Sequence, residues 1–439
     1  MNSRQQLRKQ ILELVKKFYS GDDKDSFTPG KDWIRFTGCF HDQNELMFLV
    51  DSALDFWLTA GRFSEQFEAS MAEYLGIENV LLLNSSSSAS LVALAALTSE
   101  KLKDRRLQPG DEVITLAVGF PNTINPIVQN RAIPVLVDVK LGSYVPTLEM
   151  IESALSPKTK ALLLGHTMGV PSPVSEVREF CDRHGLWLVE DSSDAFGSLY
   201  DGKLTGTYGD LAIWSFHADR HLIMGEGGAI STGNEDLARI VRSFRDWGRD
   251  CYCSGGESNT CGKRFGQQFG SLPFGYDHKY VYSHIGYNFK LTDMQAAVGV
   301  AQLDKIGHIT EARKRNHAAL GAGLARYDKY LILHAAPAKA DPSWLGFVIT
   351  ILPEAPFKRA ALIAALESAK IETRSLFSGN ILRHPAYSDI QHRTAGALPN
   401  SDLITANTFC LGVYPGLAPA MIEHILATVG RFIAEAEKK

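Results

Sequence analysis

Residues 186–191 read LWLVED, and SSDAFGS (192–198) follows directly. A short apolar run that ends in carboxylates and then in small polar residues predicts a buried strand opening onto a loop. The same design recurs along the chain: VLLL (80–83), DEVITL (111–116), IPVLVDV (133–139), ALLLGH (161–166) and LAIWSF (211–216). Helical periodicity separates several of these runs, at 88–98, near 122–130 and near 174–184. Strands alternating with helices specify an α/β fold, with a mainly parallel sheet covered on both faces. Ligands of such sheets gather at the carboxyl ends of the strands, which is where Asp191 falls.

The flanks suggest three parts. Residues 4–19 carry apolar positions at helical spacing, then a linker rich in Asp, Gly and Pro leads to a helical stretch at 44–76. Residues 248–283 are rich in Gly, Ser, Cys, Tyr and Lys. They run far past the usual connection of about 4–6 residues, which marks them as functional. A helix near 292–325, strands around 345–352 and helices near 357–368 and 418–436 predict a smaller C-terminal α+β domain. The expected boundaries are 1–45 (helix and linker), 46–300 (large domain, including the 248–283 loop) and 301–439 (small domain). The 439 residues carry a formal charge of -4, 45% hydrophobic and 21% charged residues. That balance gives no reason to expect nucleic acid or an anionic membrane as partner. A charged N-terminus and the lack of a long uncharged apolar run predict a cytoplasmic enzyme.

Three segments carry chemistry. In NSSSSASLVAL (84–94) a strand end meets a helix start through serines. That arrangement suits a phosphate, although serine also caps helices that bind nothing. Asp191 reads equally as a helix cap and as the partner of a protonated ring nitrogen. Phe120, in AVGFPNTINP (117–126), reads equally as core and as a stacking platform. The third segment, SFHADRHLIMGEGGAI (215–230), has the frame of an active-site strand and turn, with Arg220 and His221 where a Schiff-base lysine would sit.

With GDEVIT (110–115), VED (189–191), GEGG (225–228), DWGRDCYC (246–253), GSLPFGYDHKY (270–280), GYN (286–288), TDMQAA (292–297) and DPSW (341–344), these segments give the chain a recognisable pattern. It resembles the sugar aminotransferase/dehydratase family (DegT/DnrJ/EryC1/StrS), which has fold type I of the pyridoxal phosphate enzymes. It looks most like the branch that removes the 3-hydroxyl from CDP-4-keto-6-deoxyhexoses in lipopolysaccharide biosynthesis. The resemblance implies that Asp191 pairs with the pyridine nitrogen, Phe120 stacks on the ring and His166 lies near the phenolic oxygen. It implies that Ser87, Ser88 and Ser215 hold the phosphate, with Asn288 reaching over from a second copy in a homodimer that shares its sites. Ser86 departs from the family, which usually has Gly there.

Two further departures bear on the chemistry. Position 220 is Lys in the aminotransferases and His in the 3-dehydratases, whereas here it is Arg. The resemblance therefore implies pyridoxal or pyridoxamine phosphate held without a covalent link. Guanidinium is a poor base, which leaves His217 and His221 as candidate bases and Arg220 as an electrostatic clamp. The branch also binds a [2Fe–2S] centre through C-x57-C-x-C-x7-C. Cys251, Cys253 and Cys261 are present, but Ser193 occupies the first position, so a four-thiolate centre is not expected. The expected activity is C3 dehydration of a nucleotide-linked 4-keto-6-deoxy sugar, with or without a reductase partner. The alternatives are another elimination or redox reaction on that substrate class, and a catalytically silent sugar-nucleotide-binding subunit.

Overall fold

Seven strands carry the large sheet: β1 (Asn79–Leu83), β2 (Glu112–Leu116), β3 (Ile133–Val137), β4 (Thr159–Gly165), β5 (Trp187–Asp191), β6 (Leu211–Ser215) and β7 (Gly228–Thr232). The computed structural model describes residues 3–20, 27–253 and 257–438. A later pair of residues, Arg393–Thr394, adds an eighth strand at the edge, giving the order β1-β7-β6-β5-β4-β2-β3 followed by that strand. From β6 across to the edge all pairings are parallel, while β7 lies antiparallel to both β6 and β1.

The strand β5 explains why this sheet lies inside the molecule. All five of its residues are buried. Trp187 and Val189 join the apolar cluster on one face, whereas Leu188 joins the cluster on the other. Alternate side chains of a strand point to opposite faces, so a strand that is apolar throughout must be covered twice. The helix α1 (Ser86–Leu97) supplies one cover, with Ala89, Val92, Ala93 and Leu94 all buried. Antiparallel strands Leu331–Leu333, Gly346–Ile351 and Thr408–Gly412 form a separate three-stranded sheet.

The helical segments deviate from the sequence expectation at their breaks. The expected 44–76 stretch is two helices, Gln43–Asp55 and Arg62–Leu75, because Phe56 turns left-handed at the first helix's end. The 292–325 stretch also divides, into Asp293–Leu303 and Ile306–Leu324. Near 122–130 only short turns form, Pro121–Thr123 and Asn125–Gln129, because prolines at 121 and 126 supply no N–H for a longer helix.

Two histidines lie in the C-terminal core. His317 stacks on Trp344 with ring centroids 3.5 Å apart, and His334 lies 5.3 Å from His317. Burial, together with the neighbouring His334, pushes His317 down from 6.5 to about 2, and burial pushes His334 down to about 3. Unfolded, both rings take up protons near 6.5, whereas folded they resist, so the unfolded chain binds more protons below that pH. Their stabilising contribution is therefore complete above about 6.5 and is lost as the pH falls toward 3. Thermal melts from pH 7.5 to 5 should show a falling midpoint, and His317→Phe, which keeps a ring on Trp344, should make that fall shallower.

Candidate functional site

The carboxyl ends of β4, β5 and β6 and the start of α1 surround two adjoining cavities. The narrower is lined by Phe120, Asn122, Thr123, His166, Asp191, Ser193 and Asp194, among others. The wider, of about 640 Å³, is lined by Ser85, Ser86, Ser87, Ser215, His217, Asp219, Glu226 and Arg374, among others. Phe120, Arg220 and Phe377 belong to both. Phe120 is 48% exposed, its edge against Phe377, and so presents an aromatic surface to the space between them.

The floor is rigid because of a buried carboxylate that sequence reasoning missed. Glu190, fully buried on β5, accepts from the His166 ring at Nε2 (3.0 Å) and from the backbone N–H groups of Gly206 (2.8 Å), Tyr208 (2.8 Å) and Gly209 (2.6 Å). Against its burial, His166 and these N–H groups hold its carboxyl below the usual range. The other His166 nitrogen, Nδ1, accepts from the Ser172 N–H at 3.1 Å. Both ring nitrogens are thus committed away from the cavity, and His166 offers it a ring rather than a hydrogen bond. Asp191 ends the same strand, buried, and among the described residues its carboxylate accepts only the Ser193 N–H, at 3.1 Å.

At the wider cavity α1 begins with Ser85 as its cap, the Oγ accepting from the Ser88 N–H. Ser85, Ser86 and Ser87 face the cavity. Ser88 instead accepts from the Ser85 hydroxyl at 3.1 Å and is absent from the lining. The serine cradle therefore sits toward the start of the stretch expected from sequence. Gly228 allows it, since a Cβ there would lie 2.5 Å from the backbone of Ser85 and Ser86. Free N–H groups at a helix start, with hydroxyls beside them, suit a phosphate.

The Arg220 guanidinium lies between the cavities, 2.7 Å from the Asp194 carboxylate through Nη1 and 3.4 Å from Asp219 through Nε. Burial and the nearby Asp191 push Asp194 up to about 6, with Arg220 pulling the other way. Asp194 and Asp219 were not read from the sequence; SSDAFG and HADR contain them, but no spacing rule joins residues 194 and 220.

The two candidate bases are placed very differently. His217 lines the wider cavity and hydrogen-bonds Asp219 through Nδ1 at 2.8 Å. His221 is buried and turned toward Ser343, whose hydroxyl lies 3.0 Å from Nε2, and it lines neither cavity. Burial and the cationic Arg313 push His221 well below its ordinary value.

Cys251, Cys253 and Cys261 line one small pocket with His278, whereas Ser193 faces the narrow cavity with Asp191. Among the described residues, no group of three or more His, Cys, Asp or Glu is arranged to hold a metal ion. Asn288 is exposed, lines neither cavity and is held by Lys290 at 2.8 Å.

A family profile described as the DegT/DnrJ/EryC1/StrS aminotransferase family matches residues 41–430. The chain belongs to this family. It is 47% identical over 427 residues to "Lipopolysaccharide biosynthesis protein RfbH" of Salmonella typhimurium, covering 97% of this chain and 98% of that one. It is 48% identical to the "dTDP-4-dehydro-2,6-dideoxy-D-glucose 3-dehydratase" of Saccharopolyspora spinosa, covering 97% and 92%. Among solved structures, a histidine-to-asparagine mutant of GDP-4-keto-6-deoxymannose-3-dehydratase with bound GDP-perosamine superposes with a TM-score of 0.82. That match covers 91% of this chain and 100% of the other at 23% identity, a likeness of fold.

Breaking a buried ion pair by removing one partner costs about 3–5 kcal/mol, because the other charge is left stranded. Arg220→Met should therefore lower the unfolding midpoint markedly. The double variant Arg220→Met/Asp194→Asn should recover most of that loss, as a double-mutant cycle by thermal melting would measure.

Proposed function

We propose that this family member is a pyridoxal or pyridoxamine phosphate enzyme that removes the C3 hydroxyl from a nucleotide-linked 4-keto-6-deoxyhexose. The observation that carries the reading is Arg220. Its side chain pairs with Asp194 at the position of the family's lysine, so nothing at that position forms a covalent link to the cofactor. A non-covalently held cofactor suits dehydration, in which it must meet a keto sugar as an amine. The 3-dehydratase and lipopolysaccharide-biosynthesis names of the two relatives at 47% and 48% identity support the same substrate class.

The residues present fit the cofactor. The buried Ser193 Oγ and Asn122 Oδ1 have no partner among the described residues and line the narrow cavity, leaving polar positions for a ring substituent to fill. Asp191 would hold the proton on the pyridine nitrogen, Phe120 would cover one ring face, and Ser85, Ser86, Ser87 and Ser215 would bind the phosphate. When bound, the cofactor supplies an electron sink for the pair left as a proton leaves the adjacent carbon. Asn288, exposed and outside the lining of this chain's cavities, is available to a second copy, in keeping with a homodimer that shares its sites. We place the enzyme in the cytoplasm; among the described residues, no helix is long and apolar enough to cross a membrane.

The donor set does not fit a [2Fe–2S] centre: the three thiols and Ser193 face different cavities. We infer that the enzyme works without one, so its electrons or amino group come from a separate reductase or an amino donor. Anaerobic purification should yield no stoichiometric iron or sulfide; about two irons per chain with a [2Fe–2S] spectrum would overturn this reading.

With pyridoxamine phosphate and a CDP-linked 4-keto-6-deoxyhexose, mass spectrometry should show the sugar losing one water; an unchanged sugar would refute dehydration. Borohydride treatment of the protein loaded with pyridoxal phosphate should label no lysine. Asp191→Asn should slow turnover by at least ~100-fold, as expected when a major electrostatic contact to the transition state is lost.

A further inference from the structure

We infer that His217 is the general base of this chain, with Asp219 and Arg220 as its positioning residues; the inference rests on the proposed function. Among the histidines and Arg220 at or beside the cavities, the one that takes a proton must reach the cavity and have a free lone pair. Arg220 has none, since guanidinium stays protonated and is committed to Asp194 at 2.7 Å. His221 faces Ser343 inside the protein. Both nitrogens of His166 are occupied, by Glu190 and by the Ser172 N–H.

His217 meets both conditions. Its side chain is half exposed and lines the wider cavity beside Ser215 and Arg220. Asp219 lies 2.8 Å from Nδ1, so that nitrogen carries the proton and donates it to the carboxylate. The lone pair is then on Nε2, whose nearest carboxylate, Glu226, is 3.8 Å away, beyond hydrogen-bond reach. A carboxylate that fixes the tautomer of an imidazole and steadies its protonated form is the arrangement of a general base and its orienting partner.

Arg220 completes the arrangement from behind. Its Nε lies 3.4 Å from the Asp219 oxygen that meets His217, while Nη1 holds Asp194. The guanidinium thus lies in ionic contact with the carboxylate that holds the imidazole. The backbone is closed as well: the Arg220 N–H donates to the His217 carbonyl at 3.0 Å, and His217 bridges to Gly225 across the turn. With the cofactor bound to supply the electron sink, His217 Nε2 would hold the proton lost from the carbon beside the ring and would hand it to the hydroxide as the sugar's C3–O bond breaks, so that the hydroxide leaves as water.

Two measurements test this. In cofactor-free protein, 15N NMR of His217 should show the Nδ1–H tautomer, shifting toward Nε2–H in Asp219→Asn. Native His217 in the Nε2–H form would overturn the assignment, with no catalysis involved. In the second, protein loaded with C4′-tritiated pyridoxamine phosphate is mixed with the 4-keto sugar nucleotide and release of tritium to water is followed. His217→Asn should slow release by ~100-fold or more while cofactor affinity stays within a few-fold of native, and His221→Asn should release tritium at near-native rate. Undiminished release from His217→Asn overturns the assignment alone. No release from the native chain overturns the proposed function and the base assignment with it.

Discussion

The site stands on a charge that never reaches it. Glu190 lies beside Asp191 in sequence but is completely buried and collects the His166 ring and three backbone N–H groups of the 206–209 turn. An ionised carboxylate in the interior is tolerated only when its oxygens are saturated with donors. Satisfying it ties β4, β5 and the turn leading into β6 to one another. The three strand ends that present His166, Asp191 and Ser215 are thereby held in fixed relation.

The second constraint is Arg220. A side chain that keeps its proton under all ordinary conditions cannot take the proton-shuttling part of a lysine or histidine. It can serve as a fixed positive charge, and this chain surrounds it with Asp194 and Asp219. The substitution at 220 is therefore not an isolated loss; the neighbouring carboxylates define what it does.

The sheet was legible because parallel strands buried on both faces announce themselves as apolar runs ending in polar residues, as LWLVED does. The site's outline was legible too: Asp191, Phe120, Ser87, Ser215 and His217 all line the cavities. Its wiring was not. The contacts of Glu190 with residues 206–209 and of Asp194 with Arg220 join positions with no periodic relation, and only the folded chain brings them together. His221 shows the converse, since its position beside Arg220 in sequence suggested chemistry, while strand and turn geometry point it inward to Ser343. The helix breaks at 56–61 and 304–305 escaped the sequence reading because apolar periodicity continues on both sides of each.

Gly228 has a mechanical consequence. The turn from 217 to 227 is stitched at both ends, by the His217–Gly225 bridge and by the Phe216 N–H to the Gly227 carbonyl at 2.9 Å. Immediately beyond it, Gly228 abuts the backbone of Ser85 and Ser86 so closely that no side chain fits between. The turn and the serine cradle thus share one backbone-to-backbone contact, so a side chain added at 228 would push apart two walls of the same cavity.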